Sequence, residues 1–354
     1  MKKFSKSFLL MMPLIAMACN DDDMDMQSEL NVNFPAAYVV NGESNSISVI
    51  NLSTAEVAGT IKLSDGSMGG SMNDMIMWPH HVYMNSSKTQ VAIGVPGMDL
   101  SAGHSGGMAG MEGKVAVVDA VKGTVLKVVH LDMMNHNAVF SPDEKEIWTS
   151  QMGEMGSVLV YDASTYALKS TIPVGSDPAE VTFSFDGSVA FVANGSSNTV
   201  TAINPATKEV LKTIDVGADP VGAWPGSDNK MYVDNEVGQT ISIINVSTLE
   251  IESTIELGFM PGMAAYTDMG KELWVSDPVN GKVHYWIYQS NTWNHGGVFS
   301  TGAGAHAIAF DEDSMKAYVT NQGAESVSVI NAMNHTVSKT LTVGKKPNGI
   351  VIKK

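Results

Sequence analysis

A glycine returns at almost constant intervals through the C-terminal half of this chain, and that period limits the fold more than any other feature. Gly175, Gly217, Gly258, Gly302 and Gly344 stand 42, 41, 44 and 42 residues apart. Each closes a short run rich in β-branched residues, such as Val210 to Val216. No long segment carries an apolar period near 3.6, so the repeating unit is built of strands, and about 42 residues suffice for four of them. One such unit cannot bury both of its faces. It has to pack against copies of itself, and four-stranded units of this length do so as the blades of a propeller.

The unit that contains Gly217 shows the internal layout. An inner strand runs from Glu180 to Ser184, a second from Ala190 to Asn194, a third from Val200 to Asn204 and an outer one from Val210 to Val216. Turn residues separate the third strand from the fourth, as in Asn204-Pro205-Ala206-Thr207 and Asn245-Val246-Ser247-Thr248. The second strand repeats a phrase that begins at Ala37-Tyr38-Val39-Val40-Asn41, Ala190-Phe191-Val192-Ala193-Asn194 and Met231-Tyr232-Val233-Asp234-Asn235. Looser copies occur at Ile147-Trp148-Thr149-Ser150 and Leu273-Trp274-Val275-Ser276. Its aromatic residue is large enough to fill the wedge between neighbouring blades.

One copy reads Ala317-Tyr318-Val319-Thr320-Asn321, followed by Ser326-Val327-Ser328-Val329-Ile330-Asn331. This resembles the repeat of the YVTN propeller family, and the resemblance extends from about Phe34 to the C-terminus. It implies an all-β, seven-bladed β-propeller of four-stranded antiparallel blades over residues 34–354. The last segment, Pro347 to Ile352, is an inner strand with nothing after it, whereas the unit at Ala37 lacks an inner strand. Together they make one blade, so the C-terminal strand is expected to close the ring and remove its open edge.

The first residues read as an address. Lys2, Lys3 and Lys6 precede an apolar run from Phe8 to Ala18, too short to span a bilayer comfortably. Residues 1–18 are therefore expected to be a signal peptide. Ala16-Met17-Ala18-Cys19 resembles a bacterial lipobox, which implies a lipidated Cys19 and a membrane anchor. Residues 19–33, opening with Asn20-Asp21-Asp22-Asp23, lack periodicity and read as an acidic flexible tether. An acidic run behind a lipidated cysteine is similar to the export signal of surface lipoproteins in the Bacteroidota. It implies an outer-membrane lipoprotein facing outward, with a periplasm-facing one as the alternative. Cys19 is the single cysteine, so the chain forms no internal disulfide and no thiolate metal cage. A net charge of −16 with no Lys/Arg cluster disfavours nucleic acid as a partner.

Chemistry is expected where the inner strands begin, because those positions surround one mouth of the central channel, the top face. Aligning the inner strands on Val181 and Phe183 brings His80, His136 and His306 into one register, where other blades carry Ala179, Val221, Gly262 and Asn348. One residue further on the series includes His81, Asn137 and Glu180. Packing alone would call for Val or Ala there. Converging imidazoles suit copper, iron or zinc, with Glu180 as an oxygen ligand, an outer partner or a base. Methionine points to copper: of 24, twelve lie between Met68 and Met155, in segments assigned to the top face. The insert from Gly97 to Gly113 adds His104, Met108 and Met111 as a mobile lid of soft ligands. His130, His284, His295 and His335 read as surface or packing residues.

In architecture the chain is also similar to haem d1 propellers and to the copper propeller of nitrous-oxide reductase, which place a metal centre at the channel end. That likeness implies copper, or less directly haem d1; covalently attached haem is excluded because Cys-x-x-Cys-His is missing. Lactone-hydrolysing propellers are a further related group, for which Glu180, Asp219, Asp277 and Asn137 would hold a catalytic cation. Three readings follow: a copper-binding lipoprotein, a metal-independent module for a protein or glycan ligand using its top-face methionines, and a haem d1-type or hydrolytic enzyme.

Overall fold

The computed structural model describes residues 30–63, 75–101 and 111–353. The expected signal peptide and Cys19 lie outside these residues. Twenty-eight strands form seven separate four-stranded antiparallel sheets. The only helical element among the described residues is a single 3-10 turn at Gln322–Ala324. Inner strands contact one another successively around a ring, so the sheets are the blades of a propeller. In the blade quoted above the strands are Pro178–Phe183, Ala190–Asn194, Thr199–Ile203 and Val210–Asp215, within one residue of expectation except at the start of the inner strand, which comes two residues earlier.

We number the blades from the N-terminus. Blade 1 is composite: Pro347–Lys353 supplies its inner strand and pairs antiparallel with Ala36–Asn41. Blades 2 to 7 are continuous, with inner strands at Val82–Met84, Ala138–Phe140, Pro178–Phe183, Pro220–Gly226, Ala264–Thr267 and Ala305–Phe310. The packed chain starts earlier than the sequence indicates. Residues 30–33 were expected in the tether, yet Val32 is fully buried, its N–H donates to Val121 O at 2.9 Å, and Leu30 packs against the same apolar cluster. A valine and a leucine in an otherwise polar stretch are enough to dock it on blades 1 and 2.

The repeated aromatic residue does what its size predicts. Tyr38, Trp148, Phe191, Tyr232, Trp274 and Tyr318 are all fully buried, each in an apolar cluster that spans two adjacent blades or seals one. Blade 2 has Ala92 at this position, and Phe140 and Tyr161 of blade 3 share its cluster.

The glycine period has a cause that the sequence does not display. Asparagines 41, 194, 235 and 321 end the second strands and are fully buried. Each donates from Nδ2 to two hydroxyls of the adjoining third strand, as Asn321 does to Ser326 at 3.1 Å and Ser328 at 3.0 Å. The glycine ending the previous blade's outer strand lies flat against that amide. A Cβ on Gly302 would stand 2.7 Å from Asn321 Cγ, and Gly175, Gly217 and Gly344 meet Asn194, Asn235 and Asn41 in the same way. Blade 6 carries Asp277 in place of the asparagine. There the preceding glycine, Gly258, meets nothing within 4 Å among the described residues but has φ +76°, which only its lack of a side chain makes comfortable. The period therefore marks a contact between blades in four places and a backbone requirement in one.

Candidate metal centre

Four inner strands deliver the expected residues to the top of the channel. His80 and His81 precede the inner strand of blade 2, His136 stands two residues before that of blade 3, and Glu180 and His306 lie within those of blades 4 and 7. The backbones come close because blade neighbours are glycines: any Cβ on Gly94 would strike His136 O and Asn137 Cα, and one on Gly349 would lie 2.9 Å from His80 O and His81 Cα.

The four imidazoles form a contiguous group. Ring centroids are 4.6 Å apart for His80 and His81, 4.3 Å for His80 and His136, and 5.0 Å for His81 and His136. His306 lies 5.9 Å from His80 and 5.6 Å from His81. Three of the rings are buried, at 2% exposure for His80, 5% for His81 and 1% for His136; His306 is half-buried. Glu180 is fully buried beneath them, with Oε1 at 3.2 Å from His136 Nδ1 and 3.5 Å from His81 Nδ1. Ligand atoms of His80, His81 and His306 fall within 4.8 Å of one another, and so do those of His81, His136 and Glu180.

Residues below the imidazoles complete the setting, and sequence reading missed them. Tyr83 follows His81 by two residues and donates from its hydroxyl to Glu180 Oε2 at 3.0 Å. Its ring packs both against the cluster of Val139, Trp148 and Phe183 and against that of Trp224 and Ala264, so it crosses the channel. Burial pushes the Glu180 carboxyl up to about 8, the Tyr83 hydroxyl pulling weakly the other way. Burial, then the charge of Glu180, pushes the Tyr83 hydroxyl well above its ordinary range. Trp224 of blade 5 places its rings 5.7 Å from His81 and donates from Nε1 to Asp234 Oδ1 at 2.5 Å. Asp234 is fully buried, and burial, reinforced by the charge of Glu236, holds its carboxyl well above the carboxylate range. An inner-strand Tyr or Trp is indistinguishable in sequence from an ordinary packing residue, which is why these escaped notice.

Above the imidazoles a small pocket of about 40 Å³ is walled by His80, His306, Leu100, Met260, Glu236 and Pro278. Met260 is a soft donor that the sequence did not single out, because it lies far from the methionine-rich half; its place two residues before Gly262 in the aligned register was the available signal.

The methionines expected to form a ligand surface divide. Met134 and Met152 are buried with Leu100 in a compact apolar cluster against which Met98 packs, so these three act as filler that roofs the mouth. Met75, Met77 and Met111 are exposed. His104 and Met108 lie outside the described residues. The residues grouped for a lactonase-type cation do not join in any cluster of three or more candidate ligands among the described residues; Glu180 does so only with histidines. Asn137 is committed to the backbone of Val181, donating to its O at 2.8 Å and accepting from its N at 3.1 Å. Asp277 accepts from Asn280 and lies 3.5 Å from His284. His335 stacks on Tyr285 at 3.9 Å and pairs with Glu272 at 2.9 Å, and His284 stacks on Phe259 at 4.3 Å, which fits the packing role expected of them.

No protein-family model matches the chain, and no curated protein sequence matches it. Solved structures do match over nearly the whole fold. A functionally unknown protein from Desulfotomaculum acetoxidans superimposes with TM-score 0.70 at 15% identity, covering 90% of this chain and 98% of that one. A periplasmic gluconolactonase from Pseudomonas aeruginosa does so with TM-score 0.69 at 14% identity, over 90% and 99%. A putative 6-phosphogluconolactonase from Bacteroides fragilis gives TM-score 0.68 at 15% identity, over 91% and 99%. At such identities the likeness concerns the backbone alone: the chain is a seven-bladed β-propeller with lactonase-like structural neighbours.

Proposed function

We propose that the protein binds copper at the top of its channel, through His80, His81, His136 and His306 with Glu180 beneath them. The observation that carries this is the meeting of four imidazoles and a buried carboxylate from four blades, at positions where other blades carry Ala179, Val221 and Gly262. Imidazoles gathered in two overlapping triads, one of them with a buried carboxylate, are a donor set that suits a metal ion. Within each triad the candidate ligand atoms lie within 4.8 Å of one another. Copper is favoured among imidazole-binding metals because Met260 adds a thioether beside His80 and His306. Tyr83 and Trp224 would hold Glu180 and His81 in place and keep bulk water out of the channel below. Lipidation at Cys19 and an outer-membrane location would set this site at the cell envelope.

The test is elemental analysis of untagged protein beside a His136→Ala/His306→Ala double variant. Stoichiometric copper in the wild type and its loss in the variant are expected; equal, substoichiometric metal in both would refute the reading. A second reading has its own support: Met75, Met77, Met155, Val237 and Val279 are exposed in top-face loops, Met155 at 90%. Such a rim suits a docked protein partner. Replacing Met155, Val237 and Val279 by serine would then weaken capture of that partner without altering copper content.

A further inference from the structure

Resting on the copper reading, we infer that the site takes two ions, in distinct positions that share His81. The candidate ligands divide into two triads, and neither contains both His136 and His306. The lower triad, His81, His136 and Glu180, is shut in, its three members exposed by no more than 5%. It carries the only carboxylate of the two sets. The upper triad, His80, His81 and His306, is all imidazole, includes the half-buried His306, and opens to the pocket bearing Met260.

His81 joins the two. Its Nδ1 lies 3.5 Å from Glu180 Oε1, on the lower side, which leaves Nε2 for a second ion; the His80 and His306 rings stand 4.6 and 5.6 Å away, centroid to centroid. A neutral imidazole has one lone pair and one N–H, so His81 would bridge two centres as an imidazolate, its N–H proton released to solvent as the second ion binds. The ligand sets differ in a way that assigns them different tasks. Glu180 offsets charge in the lower position, where desolvation makes an uncompensated dication expensive, so the ion there is held in place. Two neutral imidazoles and the shared His81 ring beside a thioether suit a soft, exchangeable copper ion that enters and leaves through the pocket. The upper ion is thus the one that a partner at the channel mouth would deliver or remove.

The experiment is titration of the metal-free, full-length protein with Cu(II), with bound copper counted by mass spectrometry and spins counted by EPR. Wild type is expected to bind two copper ions per chain, with a half-field transition and an integrated signal below the copper content because the two spins interact. Glu180→Gln and His306→Gln are each expected to bind one, with signal equal to copper and no half-field transition. His81→Ala should weaken both positions by at least tenfold. Circular dichroism and thermal unfolding of each variant show that the propeller is intact. One copper per wild-type chain, with both variants losing that same ion, would overturn the two-position inference and leave the copper reading standing. No specific copper in the wild type would overturn both.

Discussion

Replacing Gly302 by alanine tests the contact that explains the glycine period. The new Cβ would stand 2.7 Å from Asn321 Cγ and 3.0 Å from its Cβ and Nδ2, too close for the amide to stay where it is. Asn321 must then move, and its bonds to Ser326 at 3.1 Å and Ser328 at 3.0 Å are lost. Two buried hydrogen bonds at about 1 kcal/mol each, with the buried Asn321 amide left without those acceptors, place the cost at roughly 2–3 kcal/mol. Asn321→Ala should cost about 2 kcal/mol for the same reason. In the double variant the clash is relieved, so Gly302→Ala should add less than about 1 kcal/mol, giving a coupling of roughly 1–2 kcal/mol in a double-mutant cycle. Urea unfolding of the four proteins, followed by tryptophan fluorescence, measures this. A cost for Gly302→Ala that is the same with and without Asn321 would refute the account. Gly258→Ala is the internal contrast: its penalty of about 1–2 kcal/mol comes from φ alone and should not depend on any asparagine.

Other outcomes follow from single contacts. Tyr232 donates to Asp228 at 2.8 Å, so Tyr232→Phe should lower unfolding free energy by about 1–2 kcal/mol; Tyr318 has a buried hydroxyl without a hydrogen-bond partner among the described residues, and Tyr318→Phe should be neutral or stabilising in the same denaturation assay. Asp234 has its folded pKa raised by burial, so the stability it contributes is complete below the unfolded value of 3.8 and is lost as pH rises through the folded value. Asp234→Asn, which keeps acceptors for Trp224 Nε1 and Gly222 N, should therefore flatten the fall in melting temperature toward alkaline pH; an unchanged pH profile would refute it. Truncation after residue 346 removes the inner strand of blade 1 and bares the edge of Ala36–Asn41; size-exclusion chromatography should show aggregation in place of a monodisperse peak.

What could be read beforehand was whatever repeats. The number of blades, the order of strands, the wedge aromatics and the closing strand are each stated several times over by the chain, and a loose copy at Trp148 is corrected by clearer ones at Tyr318 and Phe191. The histidine register was visible for the same reason, since His80, His136 and His306 break a pattern that Ala179 and Val221 define. Features that occur once were not legible. Tyr83 spans the channel because of where two distant blades stand, Met260 reaches the pocket by the path of one loop, and Val32 docks on Val121, 89 positions away. Met134 and Met152 misled because a thioether buried for packing and one presented as a ligand have the same spelling. The glycines were noticed for their interval, while their reason, the amide of the next blade, becomes apparent only once blades are side by side.

Asn348 sits in the strand that completes the ring. Its carbonyl faces His306 Nδ1 at 3.1 Å, its amide nitrogen reaches Pro79 O at 3.4 Å, and its amide oxygen accepts from Gln322 at 2.7 Å. One residue thus fastens the histidine of blade 7, through its backbone carbonyl, to the residue just ahead of His80, through its side chain. Until the chain's two ends have met, His306 and His80 have no common frame, whereas His81, His136 and Glu180 stand on the consecutive blades 2, 3 and 4. On the proposed reading, an ion captured between His80 and His306 would act as a rivet across the seam where the chain's two ends meet.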